Sequence, residues 1–204
     1  MAVNFNTVSE THYYREKHVI DQILPDALGR PSYRVFRFIS DSSGSLPWAP
    51  AGSYFITPTD KTMEVIENNL RFVKLSTPIR QDFTWNPNHF LPDNPLRPLY
   101  SFQNDGDMEL DAWNCYYLSL GETINLNGKV INDVITVQGV DRFENIPINI
   151  NVFASVDFMQ EKYAKGIGLV YQKWEMWDFQ PPHDNIPDAQ KHGFIIKRSM
   201  IDHN

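Results

Sequence analysis

The chain has 204 residues and a formal net charge of −7, with 42% hydrophobic, 21% charged and 13% aromatic residues. Such a chain can bury one substantial core and is read as a single domain over residues 1–204; its apolar content excludes a disordered chain. No basic block offsets the acidic charge, so no nucleic-acid partner is expected, since a phosphate backbone requires clustered Lys and Arg. No run reaches the ~18 apolar residues of a membrane-spanning helix.

From the N-terminus, "MAVNFNTVSETHYY" lacks a basic region followed by an apolar one, so no secretory signal is read from it. "TVSETHYYREKHVIDQIL" fits a helix opened by a capping box from Thr7 to Glu10, with Ile20, Ile23 and Leu24 at helical spacing. It also fits a strand with Tyr13, Arg15, Lys17 and Val19 on one face and Tyr14 and Ile20 on the other. The strand is favoured, because the rest of the chain reads as β and a turn at Pro25 would join it to the next strand as a hairpin. "LPDALGRP" is turn-forming, and "SYRVFRFIS" after it is a strand with apolar residues on both faces.

Trp48 lies in the loop "SLPWAP". In "KTMEVIENNLRFVKL", Asn68 and Asn69 separate two alternating runs and predict a hairpin, asparagine being tolerant of positive φ. Residues 77–103 then lose periodicity, and Pro87, Pro92, Pro95 and Pro98 forbid both helix interior and central strand. A loop of this length is often functional. "SFQNDGDMELDA" resembles a calcium loop, but aligning Gly106 to the invariant glycine puts Ser101, Gln103 and Ala112 at ligand positions, so a solvated acidic turn is the expectation. Cys115 is the one cysteine. It excludes an internal disulfide and a structural thiolate zinc site, and its apolar run reads as a buried, inert thiol. "ETINLNGKVINDVITVQGV" predicts a second hairpin, turning at Asn127 and Gly128.

"YAKGIGLVYQKWEMWDFQ" combines a G-x-G with two tryptophans. A dinucleotide fingerprint needs a third glycine where Tyr171 stands and a helix after it, whereas the residues after Gly168 prefer a strand. Gly166 and Gly168 therefore read as a turn or bulge. As a regular strand, the run carries Leu169, Tyr171, Trp177 and Phe179 on one face and Val170, Trp174 and Met176 on the other. Core filling is the commoner role for such residues; a stacking platform for sugar rings is the functional alternative. In "IIKRS", Lys197 and Arg198 point to opposite faces and make no patch.

"ALGRPSYRVFRFISD", "IENNLRFVKL", "LDAWNCYY", "YAKGIGLVY" and the closing "GFIIKRSMIDHN" together resemble a family of exported proteins and lipoproteins of Bacteroidota, in the same order from about Tyr13 to Asn204. The resemblance implies a mainly β fold and a periplasmic or cell-surface location, and it transfers no active site. Members usually begin with a signal peptide, a lipobox cysteine and a first strand. None is read here, so a trimmed or divergent N-terminus is expected, and contact with a membrane would come only through a lipid anchor absent from this chain.

No G-x-S-x-G, H-E-x-x-H or phosphate-loop motif occurs. None of His12, His18, His89, His183, His192 and His203 pairs with another at metal-ligand spacing, though folding could bring together His183 with Asp184 and His203 beside Asp202. Glu175, in its aromatic run, is the acid whose surroundings hint at a raised pKa, against the commoner solvated glutamate. The expectation is a mainly β domain, a single antiparallel curved sheet or partly closed β-barrel with long loops. It would be a non-enzymatic envelope protein binding a glycan or lipid fragment through Trp174, Trp177, Tyr171 and Trp48 or through the mouth of the sheet, with no cofactor and no metal. A structural or interaction domain of an envelope assembly, and a hydrolase with a loop-assembled site, are the alternatives.

Overall fold

In a computed structural model, residues 10–92, 113–183 and 188–203 are described. Among them there is no helix. The strands in chain order are β1 (Tyr14–Pro25), β2 (Pro31–Asp41), β3 (Ala49–Pro58), β4 (Thr62–Glu67), β5 (Leu70–Ser76), β6 (Thr84–Trp85), β7 (Cys115–Leu126), β8 (Lys129–Glu144), β9 (Ala154–Ala164), β10 (Gly168–Gln180) and β11 (Gln190–Ser199). The mainly β expectation holds, and the strands divide into two antiparallel sheets that do not close into a barrel. Sheet A has the order β1-β2-β3-β4-β5 and sheet B the order β11-β10-β9-β8-β7-β6.

Consecutive strands pair because the turns between them have the right chemistry. Asn68 and Asn69 both sit at positive φ (52° and 62°), as do Asn127 and Gly128 (52° and 81°), so each hairpin turns in two left-handed residues. Such turns match the right-handed twist of the flanking strands. Between β1 and β2, the Asp26 carboxylate accepts from the backbone N–H of Leu28 and of Arg30, both at 2.9 Å. The N-terminal segment is thus the strand rather than the helix, hairpinned to β2 through that turn. Between β9 and β10, Gly166 and Gly168 take positive φ at a turn followed by a register shift between Leu169 and Tyr171. The G-x-G launches a strand.

The main apolar cluster draws on both sheets. Val73 of β5 joins Cys115, Tyr117, Val137, Met159, Tyr163, Met176, Phe194 and Ile196 of sheet B, with Met63, Leu70 and Leu75 of sheet A packed against them. Polar contacts hold the β5 edge in place. Tyr117 Oη donates to the Ser76 carbonyl (2.6 Å) and accepts from its N–H (3.1 Å), while Trp85 Nε1 donates to the Val73 carbonyl at 2.9 Å. Side chains such as Phe194 and Met176, about 1% exposed, each contribute roughly 1.5–3 kcal/mol by leaving water.

Candidate ligand site between the sheets

Antiparallel register aligns one row of sheet B side chains on the face toward sheet A: Tyr117, Val137, Glu161, Gln172 and Arg198, on β7 through β11. At the Tyr117 end the row meets β5, and at the Arg198 end it meets β1. A chain of polar contacts runs along it. Lys74 Nζ lies 2.7 Å from Glu161 Oε1, Gln172 Nε2 donates to the same oxygen at 2.7 Å, and Tyr163 Oη donates to Oε2 at 2.5 Å. Arg198 donates to Gln172 Oε1 through Nη1 and to Glu16 Oε2 through Nε at 2.8 Å. His18 Nε2 lies 3.5 Å from Glu16, and its Nδ1 lies 3.2 Å from Tyr54 Oη.

Backbone geometry puts each of these groups there. Glu161 occupies an inward position of β9 between Met159 and Tyr163, by the two-residue period of a strand. Lys74 is the extra residue of a bulge, since Leu75 pairs with Met63 and Val73 with Glu64. A bulge re-aims a side chain, and here the Lys74 ammonium reaches across to sheet B. The chain runs from complete burial at Glu161 to the 39%-exposed His18 side chain.

The electrostatics favour ionised Glu161 and Glu16 and protonated Tyr163 and Cys115. Burial alone would push the Glu161 carboxyl up, but Lys74 and the Tyr163 and Gln172 donors outweigh it and hold it below the ordinary range. Burial likewise opposes ionisation of Glu16, and hydrogen bonds from His18 and Arg198 reverse the balance. Burial, reinforced by Glu161, raises Tyr163 well above the usual phenol value and pushes the Cys115 thiol up to about 12. Cys115 is buried, as its sequence leads one to expect. Among the described residues three buried side-chain polar atoms have no hydrogen-bond partner, Trp113 Nε1, Ser119 Oγ and Trp174 Nε1, and the last of these faces sheet A. Its ring packs edge to face on Phe194, centroids 5.3 Å apart.

The four residues singled out in the sequence lie on three different surfaces. Trp174 faces the inter-sheet space with Gln172 and Met176. Trp177 and half-buried Tyr171 are on the opposite face of β10; Trp177 is only 8% exposed, covered by the Lys191 ammonium 3.6 Å above its ring, and donates through Nε1 to Glu175 at 2.7 Å. Trp48, 41% exposed, borders β3 under Lys17, on the side of sheet A away from Glu16 and His18. Glu175 does not have the raised pKa hinted at by its aromatic run. Burial raises it, but Lys173 and the Trp177 N–H outweigh burial and set it below the ordinary value.

Among the described residues no three His, Cys, Asp or Glu side chains gather at metal-binding distance. Asp202 instead pairs with Lys129 at 2.6 Å. The calcium-like segment 101–112, the prolines from Pro95 onward in the long loop, and Asp184 lie outside the described residues.

Sequence reasoning passes over Glu161, Lys74, Glu16, Gln172 and Arg198 as site residues. For Glu161 a signal exists, in an acid at an inward position between Met159 and Tyr163. For Lys74 there is none, because the bulge that turns it inward leaves no mark on the alternation. Arg198 does point away from Lys197, but its partner is 182 positions away in sequence.

Fold and site together define a two-sheet, all-β protein with a charged hydrogen-bonding chain between its sheets. Comparison with known proteins matches no family model, no curated protein and no solved structure.

Proposed function

We propose that this is a non-enzymatic ligand-binding protein of the cell envelope, whose ligand, a glycan or lipid fragment, enters the mouth between the two sheets. The supporting observation is the polar chain from Lys74 and Glu161 through Gln172 and Arg198 to Glu16, His18 and Tyr54. Charges confined in an apolar core cost more desolvation than their pairing returns. Such a chain, graded from buried to exposed, suits a space that admits water or a polar ligand. The groups at its buried end favour binding over chemistry: Glu161 is held ionised, and Tyr163 and Cys115 are held protonated, whereas an acid–base catalyst works with a pKa near the ambient pH. The envelope location comes from the family resemblance and is part of the same proposal.

A second reading, as an interaction domain, draws on the β8–β9 connection, where Ile146, Ile148, Ile150 and Val152 are all exposed. Exposed aliphatic clusters mark contact surfaces.

Thermal unfolding against soluble glycans and monomeric lipids tests the first reading. A ligand at about 100 times its Kd adds ~2.7 kcal/mol, which for a domain of this size raises the midpoint by roughly 5 to 10 °C. The shift should disappear in Arg198→Gln and persist in Trp48→Ala. Loss in Trp48→Ala alone would move the site to the exposed aromatic side of sheet A. No shift with any ligand, together with self-association that Ile148→Asp abolishes, would support the interaction reading.

A further inference from the structure

The face that sheet A turns toward sheet B differs from its counterpart. On sheet B, Val137, Met159, Met176, Phe194 and Ile196 are sealed from solvent. On sheet A, register aligns Ile23, Tyr33, Ile56, Val65 and Phe72 into one apolar row across all five strands. Tyr33, Ile56, Val65 and Phe72 are only partly buried, and Ile23, at the β1 edge, is exposed. Tyr33 shares its face of β2 with Val35 and Arg37, and Arg37 is the register partner of His18, so the row lies on the same side as the polar chain. The two are joined twice. The Lys74 ammonium sits 5.3 Å from the centre of the Phe72 ring, and on β3 Tyr54 and Ile56 are next neighbours on one face.

Resting on the reading of this space as a binding site, we infer that the ligand is a single-chain amphiphile whose head group carries no net charge. Its hydrocarbon chain lies along the Ile23–Phe72 row. Its head meets the Lys74–Glu161–Arg198–Glu16 chain, and an oxygen of the ligand accepts from Trp174 Nε1.

Three observations carry the assignment. An apolar row left partly open gains free energy only by covering. The polar chain holds two cations and two carboxylates in alternation, so it offers donors and acceptors without a field that selects an anion or a cation. Among the described residues the buried Trp174 N–H has no acceptor, and an unpaired buried donor is a cost that a ligand oxygen removes.

Dodecylphosphocholine, dodecyl maltoside, dodecanoate and maltose, each as monomers, are titrated onto the full chain while tryptophan emission and the thermal midpoint are recorded. The first two should bind saturably and raise the midpoint, and dodecanoate and maltose should not. Val65→Asp should weaken binding by about tenfold or more, as should Ile56→Asn, which keeps the test open if the first variant does not fold. Ile148→Asp, on the exposed β8–β9 connection, should leave binding unchanged. Equal binding of dodecanoate overturns the neutral-head assignment. Maltose binding as tightly as dodecyl maltoside overturns the amphiphile while sparing the ligand site. Loss of binding in Ile148→Asp, with none in Val65→Asp, overturns the location. Absence of binding by all four overturns this inference, and the broader reading falls with it only if the wider glycan and lipid panel is also silent.

Discussion

Glu161 is the residue on which the inter-sheet chain depends. Its carboxylate is wholly buried and satisfies Lys74, Tyr163 and Gln172 at once. Truncation to Ala strands the Lys74 ammonium and should cost about 3–5 kcal/mol in a denaturant titration. The double change Glu161→Leu with Lys74→Met should recover a large part of that loss, because removing both partners leaves no unpaired charge. A double variant as unstable as Glu161→Ala would mean the damage comes from the Tyr163 and Gln172 donors left without an acceptor rather than from a stranded charge. The same residue sets a pH dependence. In the folded protein Glu161 and Glu16 both titrate below the ordinary glutamate value of 4.5. The unfolded chain therefore binds more protons in that range, so their contribution is complete above about pH 4.5 and is lost as the pH falls below it. Denaturant midpoints measured from about pH 7 down to about pH 3 should decline over the acid part of the range, and Glu16→Gln should flatten the decline.

Among the elements, the β10–β11 pair has the least room for change. Gly193 lies opposite Trp177 at φ 135°, where a Cβ would meet the Met176 carbonyl oxygen and stand 2.5 Å from the Trp177 Cα. Both obstacles are backbone and cannot rotate away. Gly193→Ala should therefore lower stability by about 3 kcal/mol, combining a disallowed φ with overpacking. Gly166→Ala, with nothing within 4 Å of its Cβ, should cost only the left-handed strain of ~1 kcal/mol. Equal losses at the two sites, measured by thermal unfolding, would refute the close approach at Gly193.

The same contrast shows what the sequence makes legible. Strands and hairpins are local, so the runs around Asn68, Asn69, Asn127 and Gly128 can be read from alternation and turn chemistry. The division into two sheets cannot, because it depends on which strands fail to pair. The candidate site is less legible still. The aromatic residues of β10 draw attention by type, yet their two faces serve different surfaces. The polar chain is assembled from β1, β3, β5, β9, β10 and β11 by register and by a bulge at Lys74.

At the scale of the whole molecule, sheet B holds the sealed core while sheet A thins toward β1. Among the described residues β1 pairs with β2 alone, and nearly all its side chains are exposed. Its link to sheet B is the Glu16–Arg198 ion pair, with Arg198 side-chain exposure at 29% and Glu16 at 24%. Local opening is cheapest where few apolar groups are buried and most backbone hydrogen bonds face water. Amides of β1 should therefore exchange with solvent through a partial opening well below the global unfolding free energy, while those of β8, β9 and β10 exchange only on global unfolding. Arg198→Gln removes the link and should accelerate exchange in β1 and the adjoining part of β2 while leaving β9 unchanged. Native-state hydrogen exchange followed by mass spectrometry resolves the strands separately. Protection in β1 equal to that in β9, or acceleration spread evenly over both sheets, would show that the molecule opens as one unit. Opening confined to β1 would instead break the Glu16–Arg198 pair while leaving intact the core that holds Glu161.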